Sequence, residues 1–156
     1  MADSWPASLA EMVSFFDGLD EAGRRENLGA FAEAVPSIAP KDGVMYPIAD
    51  VRSDPECMDE VGVYLRVDEA GKAHFAMTLG PKVQTLTRAL AVILCRGLSG
   101  VSPGAVLAVD RSFVPLIIGE TLVRLRSQAV YYVLSRMKQA AEKWLDTNRP
   151  PEARKT

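Results

Sequence analysis

The sequence predicts an α+β fold, a small antiparallel three-stranded sheet packed by helices at both chain ends. Three observations lead there. Apolar residues recur at helical spacing between residues 8 and 35 and again between 82 and 145. Between those stretches Val61, Val63, Leu65 and Val67 alternate with Gly62, Tyr64 and Arg66, the two-residue period of a half-buried strand. Strands segregated from helices along the chain belong to α+β rather than α/β architectures.

The elements follow in order. Ser8 and Glu11 have capping-box spacing and open a first helix, with Met12, Phe15, Phe16 and Leu19 on its apolar face. Asp20 caps a second helix whose face is Leu28, Phe31, Ala32 and Val35, and Pro36 stops it. Residues 36–55 are punctuated by five prolines and glycines and hold a short extended piece near Ile48–Arg52. Such a long irregular connection is a place to look for function. A hairpin comes next: Val61–Val67, a turn over Asp68–Gly71 with Gly71 supplying positive φ, and a return strand Ala73–Leu79 that buries Phe75, Met77 and Leu79. Residues 82–98 read as a helix with the stripe Val83, Leu86, Leu90, Ile93 and Leu94, ended by Gly97 and Gly100. Ser102-Pro103 starts another short helix, and Phe113–Ile118 is a further apolar segment. A long last helix is expected from about Glu120 to Leu145, striped by Leu122, Leu125, Ala129, Val133, Met137, Ala140 and Trp144. Length points to a single domain over 1–156, with a core of about 8–146 and a polar tail over 147–156.

Hydrophobic residues make up 48% and charged residues 24%, the balance of an ordinary globule. The 18 basic and 20 acidic residues leave a net charge of −2, and no basic–aromatic interleaving suggests nucleic acid. The stretch Ala89–Cys95 is far too short to span a bilayer, and Met1–Pro6 carry no basic region leading into an apolar run, so no secretory signal is expected. Two cysteines make no disulfide framework and fit a reducing, cytoplasmic setting. One histidine and no Cys-x-x-Cys pair exclude the common zinc layouts, and no phosphate loop or nucleophile elbow is present, so neither metal nor cofactor is expected.

Cys57 is the residue most worth attention. It sits in Asp54-Pro55-Glu56-Cys57-Met58-Asp59-Glu60, directly before a strand, where a thiol is accessible. A lone loop cysteine is also compatible with a thiol of no role. Its acidic neighbours disfavour the thiolate, and nothing in the sequence aims His74 at it, so a self-sufficient cysteine enzyme lacks its activator. The pattern fits a thiol used within another protein's active site. Cys95, inside a buried helix run, reads as a small apolar filler. Arg126, beside the apolar stripe of the last helix, is either a surface arginine lying along that stripe or a cation held near the Cys57 loop.

From Pro55 to about Ala141 the chain resembles the SufE family of sulfur-acceptor proteins. The resemblance rests on Pro55-Glu56-Cys57-Met58-Asp59-Glu60-Val61 running into a hairpin, then Leu90–Leu94, then Gly97-Leu98-Ser99-Gly100-Val101-Ser102-Pro103, then Arg126-Ser127-Gln128-Ala129. Ala34-Val35-Pro36 also looks like the end of the family's helical start. The order and spacing of these segments carry the likeness, not any one of them. It implies the compact fold shared with IscU-like iron–sulfur scaffold proteins. It implies a non-enzymatic sulfur carrier that takes persulfide sulfur on Cys57 from a pyridoxal-phosphate cysteine desulfurase (SufS-like) and stimulates that enzyme. The sulfur then passes to an iron–sulfur scaffold complex (SufBCD-like). Arg126 matches the family's helix arginine and would position or polarise the loop. A monomer or homodimer is expected, with no membrane partner.

Four positions depart from the family pattern. Asp59 stands for a serine, Gly62 for an aromatic residue, Pro81-Lys82-Val83 for an acidic Ser-Asp-like start, and Ala129 for a glycine. They cluster around the sulfur loop and motivate a second reading, a diverged binding module that no longer carries sulfur. A third is a cysteine-dependent enzyme acting alone, which needs a low thiol pKa.

Overall fold

A computed structural model describes residues 5–55 and 59–148. Helix α1 spans Ala7–Asp17 and α2 spans Glu21–Glu33, followed by a 3-10 turn at Val35–Ile38. Strands β1 (Ile48–Ser53), β2 (Glu60–Val67) and β3 (Ala73–Leu79) form an antiparallel sheet in the order β1-β2-β3. Helices α3 (Thr85–Leu98), α4 (Pro103–Leu107), α5 (Val114–Ile118), α6 (Glu120–Leu125) and α7 (Ser127–Asn148) complete the chain. The expected α+β architecture is therefore present. Among the described residues no helix is long and apolar enough to cross a membrane.

The sheet follows its alternation. Val61, Val63 and Leu65 are fully buried on central β2, opposite Leu79, Met77 and Phe75 of β3. Gly71 turns the hairpin at φ +80°. Helix α3 packs on α1, α2, α7 and β3, which explains why it is apolar nearly all round. Helix α7 lies across β1 and β2.

Several local expectations change. Ser8 is not a cap: α1 begins at Ala7 with Pro6 before it and no side-chain cap bond. This start aligns Leu9, Val13 and Phe16 on the core stripe and leaves Phe15 49% exposed. Asp20 does cap α2, its Oδ1 accepting the Gly23 N–H at 2.7 Å. Pro36 falls within the 3-10 turn, after α2 has already ended. Gly97 does not end α3; it lies within the helix, where a Cβ would come within 3.2 Å of the Leu9 side chain, so it serves the α1–α3 crossing. Ser102 caps α4 as expected, accepting from the Ala105 N–H.

The largest correction concerns the final helix. It does not run unbroken from Glu120: Arg126 leaves helical geometry at φ −134°, ψ 38°, and divides α6 from α7. A continuous helix would turn Leu125 toward the stripe of Val133 and Met137. With the break, α6 packs on α5 while α7 follows the sheet and α4, and Leu125 is 72% exposed.

Candidate functional site

The candidate site is the β1–β2 connection, where the sequence places Cys57. Pairing of the two strands closes at Ser53↔Glu60, so residues 54–59 form the connection. Cys57 lies outside the described residues, together with Glu56 and Met58. The described residues on either side of it in the chain are the two arms of the loop.

The upstream arm is tied to α7 through Asp54. Its carboxylate accepts the Tyr132 hydroxyl at 2.8 Å and pairs with Arg52 Nε at 3.2 Å and Arg136 Nη1 at 3.6 Å. Arg136 is the centre of this arrangement. Its side chain is 1% exposed. Nη2 donates to the carbonyls of Asp50 (2.7 Å) and Val61 (2.9 Å), Nη1 donates to the Tyr132 hydroxyl, and Nε lies 3.5 Å from the Asp50 carboxylate. One guanidinium thus joins the end of β1, the start of β2 and α7, using the fork geometry that lysine lacks. Sequence reading missed it. The signal was there: Arg136 stands one residue before Met137 and three after Val133, in phase with the buried stripe of α7.

The downstream arm is held by Asp59. Its Oδ2 accepts the Lys82 N–H at 2.8 Å and its Oδ1 accepts the Glu60 N–H at 2.7 Å. These bonds, that to Lys82 first, hold the carboxyl below the ordinary carboxylate range, and the charges of Lys82 and Arg88 add to them. Arg88 braces the same turn by donating to the carbonyls of Gly80 and Val83. Asp59, one departure from the family pattern, thus bonds the backbone N–H of Lys82, a second departure, and not its side chain. A third, Gly62, sits where a Cβ would press on Thr78, Tyr64 and Val51.

Asp68 and Asp110 are also held low. The side-chain hydrogen bond from His74 is the main cause for Asp68, and the Ser112 backbone N–H for Asp110. A carboxylate whose folded pKa is depressed stabilises the fold above its unfolded pKa and loses that contribution as pH falls toward the folded value. Stability should thus decline on the acid side of the ordinary carboxylate range, with little change from these groups above it. Asp59→Asn should flatten part of that decline in an acid titration followed by circular dichroism; an unchanged profile would contradict the latch.

Arg126 is exposed, and its Nη1 donates to Gln84 Oε1 at 2.7 Å. Gln84 stands two residues past Lys82, which meets Asp59. The turn over 80–84 therefore touches both the downstream arm and Arg126. His74 faces Arg66 across the hairpin and binds Asp68 at 2.7 Å. It lies about 17 Å along β3 from Leu79, at the end away from the loop. That position gives no support to a cysteine–histidine enzyme. Cys95 is buried, and desolvation pushes its thiol up to about 12, as suits a filler and not a sulfur carrier.

The family model for SufE, the Fe-S metabolism associated domain, matches residues 10–141. The chain belongs to the SufE family. Its fold is similar to the solution structure of a hypothetical protein from Thermus thermophilus, with a TM-score of 0.71 and 27% identity over 90% of this chain and 98% of that one. No curated protein matches. Membership in SufE associates the chain with iron–sulfur metabolism. In the chain, Asp54 and Asp59 stand three residues before and two after Cys57.

Proposed function

We propose that this SufE-family protein is a sulfur acceptor for a cysteine desulfurase, with Cys57 as the carrier. The family match over residues 10–141 carries the reading. The anchoring of both loop arms supports it, because a carrier thiol needs a base that returns it to one position.

The chemistry is thiol exchange. The Cys57 thiolate attacks the terminal sulfur of the donor's cysteine persulfide. The donor's S–S bond breaks, its thiolate leaves, and a new persulfide forms on Cys57 with no net oxidation. A second thiol on an iron–sulfur scaffold then receives that sulfur in the same way. Asp59 gives up part of its repulsion toward a nearby thiolate, since its carboxylate is directed onto the Lys82 and Glu60 amides. Arg126 supplies a positive charge on the turn that Asp59 engages. In this reading the chain 1–156 acts as one unit and needs no cofactor of its own.

The test combines the protein with a pyridoxal-phosphate cysteine desulfurase and cysteine, followed by intact mass. A one-sulfur adduct on wild type, absent from Cys57→Ser, is expected, together with a faster desulfurase. Absence of both adduct and stimulation with a cognate desulfurase would end this reading. Capture of the desulfurase without an adduct would instead favour the binding module.

A further inference from the structure

Arg24, Arg25 and Arg126 line one cavity of about 860 Å³ between α2, the start of α3 and the α5–α6 junction. Arg25 is offset by Glu21 at 3.3 Å. Arg24 and Arg126 have no carboxylate within ion-pair distance among the described residues. Arg24 makes one long bond, Nη2 to the Phe16 carbonyl at 3.5 Å, and its Nε is buried without an acceptor. That Nε–H is closed to the cavity as well as to water, so a ligand would meet the half-buried Arg24 through its terminal Nη groups.

Glu120 lines the same wall beside Glu21, so three arginines face two carboxylates; two further features favour negative charge there. Helix α3, 14 residues long, begins at Thr85 with no side-chain cap and no acidic residue in its first turn. Gln84, its N-cap residue, uses its side-chain oxygen on Arg126. The positive pole of α3 is therefore left open where Gln84 and Thr85 line the cavity. At the α5–α6 junction Gly119 has φ +91°, and a Cβ there would stand 3.2 Å from Arg24 Nη1. Glycine satisfies the backbone and leaves room for that guanidinium beside it. Leu28, Leu86, Ile118 and Leu122 supply an apolar wall. The volume lies in the range of small-molecule sites, roughly 300–1,000 Å³.

We propose that this cavity binds a small organic anion, with a carboxylate or phosphate head between Arg24 and Arg126 and an apolar body against Leu28, Leu86, Ile118 and Leu122. Occupancy would engage Arg126 and so reach the turn that holds Asp59. The two readings share Arg126, but binding here requires no sulfur step.

The experiment titrates the full chain, labelled with nitrogen-15, with phenyl phosphate, phenylacetate, inorganic phosphate and benzyl alcohol. Saturable shifts of the Arg24 Nε–H signal and the Gly119 and Thr85 amides are expected. One aryl anion should bind at least about tenfold tighter than either inorganic phosphate or benzyl alcohol, because only it uses both walls. The tighter of the two aryl anions identifies the head group. Arg24→Lys, which keeps charge but not the fork, and exposed Arg126→Gln should each weaken binding. Should Arg24→Lys fail to fold, Arg126→Gln alone decides. Linear shifts without saturation, an equal response to benzyl alcohol, or binding unchanged in the folded variants would overturn the proposal. The assay contains no sulfur step, so its failure leaves the sulfur-acceptor reading intact, and the reverse also holds.

Discussion

Arg136→Ala is expected to lower the thermal midpoint by about 6–12 °C, the shift that about 3 kcal/mol produces in a chain of this size. The guanidinium is 1% exposed and serves the Asp50 and Val61 carbonyls, the Tyr132 hydroxyl and the Asp54 carboxylate. Buried ion networks can often be replaced by apolar groups at little cost when both sides are replaced. That escape is closed here, because two of the acceptors are backbone carbonyls and stay behind. The carboxylates of Asp50 and Asp54 are about a quarter exposed and retain Arg52, so the expected loss stays below that for a fully buried charge.

Arg136→Met separates the causes. It keeps most of the side-chain bulk and removes the cation, so most of the loss should persist. A Met variant melting with wild type would mean that packing, and not the polar bridge, is what Arg136 provides. If Cys57 is the proposed sulfur acceptor, its persulfide loading in variants that remain folded should fall further than stability alone explains, since Asp54 loses its tie to α7.

Much of the architecture was legible because its signals are local. Alternation at Val61–Val67 predicted β2, Gly71 predicted the hairpin turn, and Asp20 and Ser102 capped the helices they precede. What failed depended on distant partners. Gly97 looks like a stop until Leu9 lies against it, and the stripe through Leu125 looks continuous until α5 and the sheet draw α6 and α7 apart. The site divides in the same way. The position of Cys57 ahead of β2 is visible in the chain. The anchors of its loop are not: Asp59 meets Lys82 across 23 residues, Asp54 meets Tyr132 across 78, and Arg136 meets Val61 across 75. Periodicity reports which face is buried, but not which buried arginine replaces an apolar residue there.

Gly80→Ala should release the downstream arm while leaving the fold in place. A Cβ at Gly80 would occupy the space of the Asp59 carboxylate. The backbone there has little room to yield, since Gly80 N–H donates to the Glu60 carbonyl at 2.8 Å and Arg88 holds the Gly80 carbonyl. The side chain of Asp59 must therefore swing out, and the Lys82 and Glu60 amides lose their acceptor. Both are exposed, so water replaces it, and the cost to global stability is small beside the loss of local order. Hydrogen exchange at these two amides should accelerate by about tenfold or more, as expected for losing a charge-assisted bond. Asp59→Ala should produce the same acceleration, and adding Gly80→Ala to it should produce no more, because the methyl then meets empty space. Additive effects in that double-mutant cycle would mean that Gly80 acts on the turn directly and that Asp59 is not its latch.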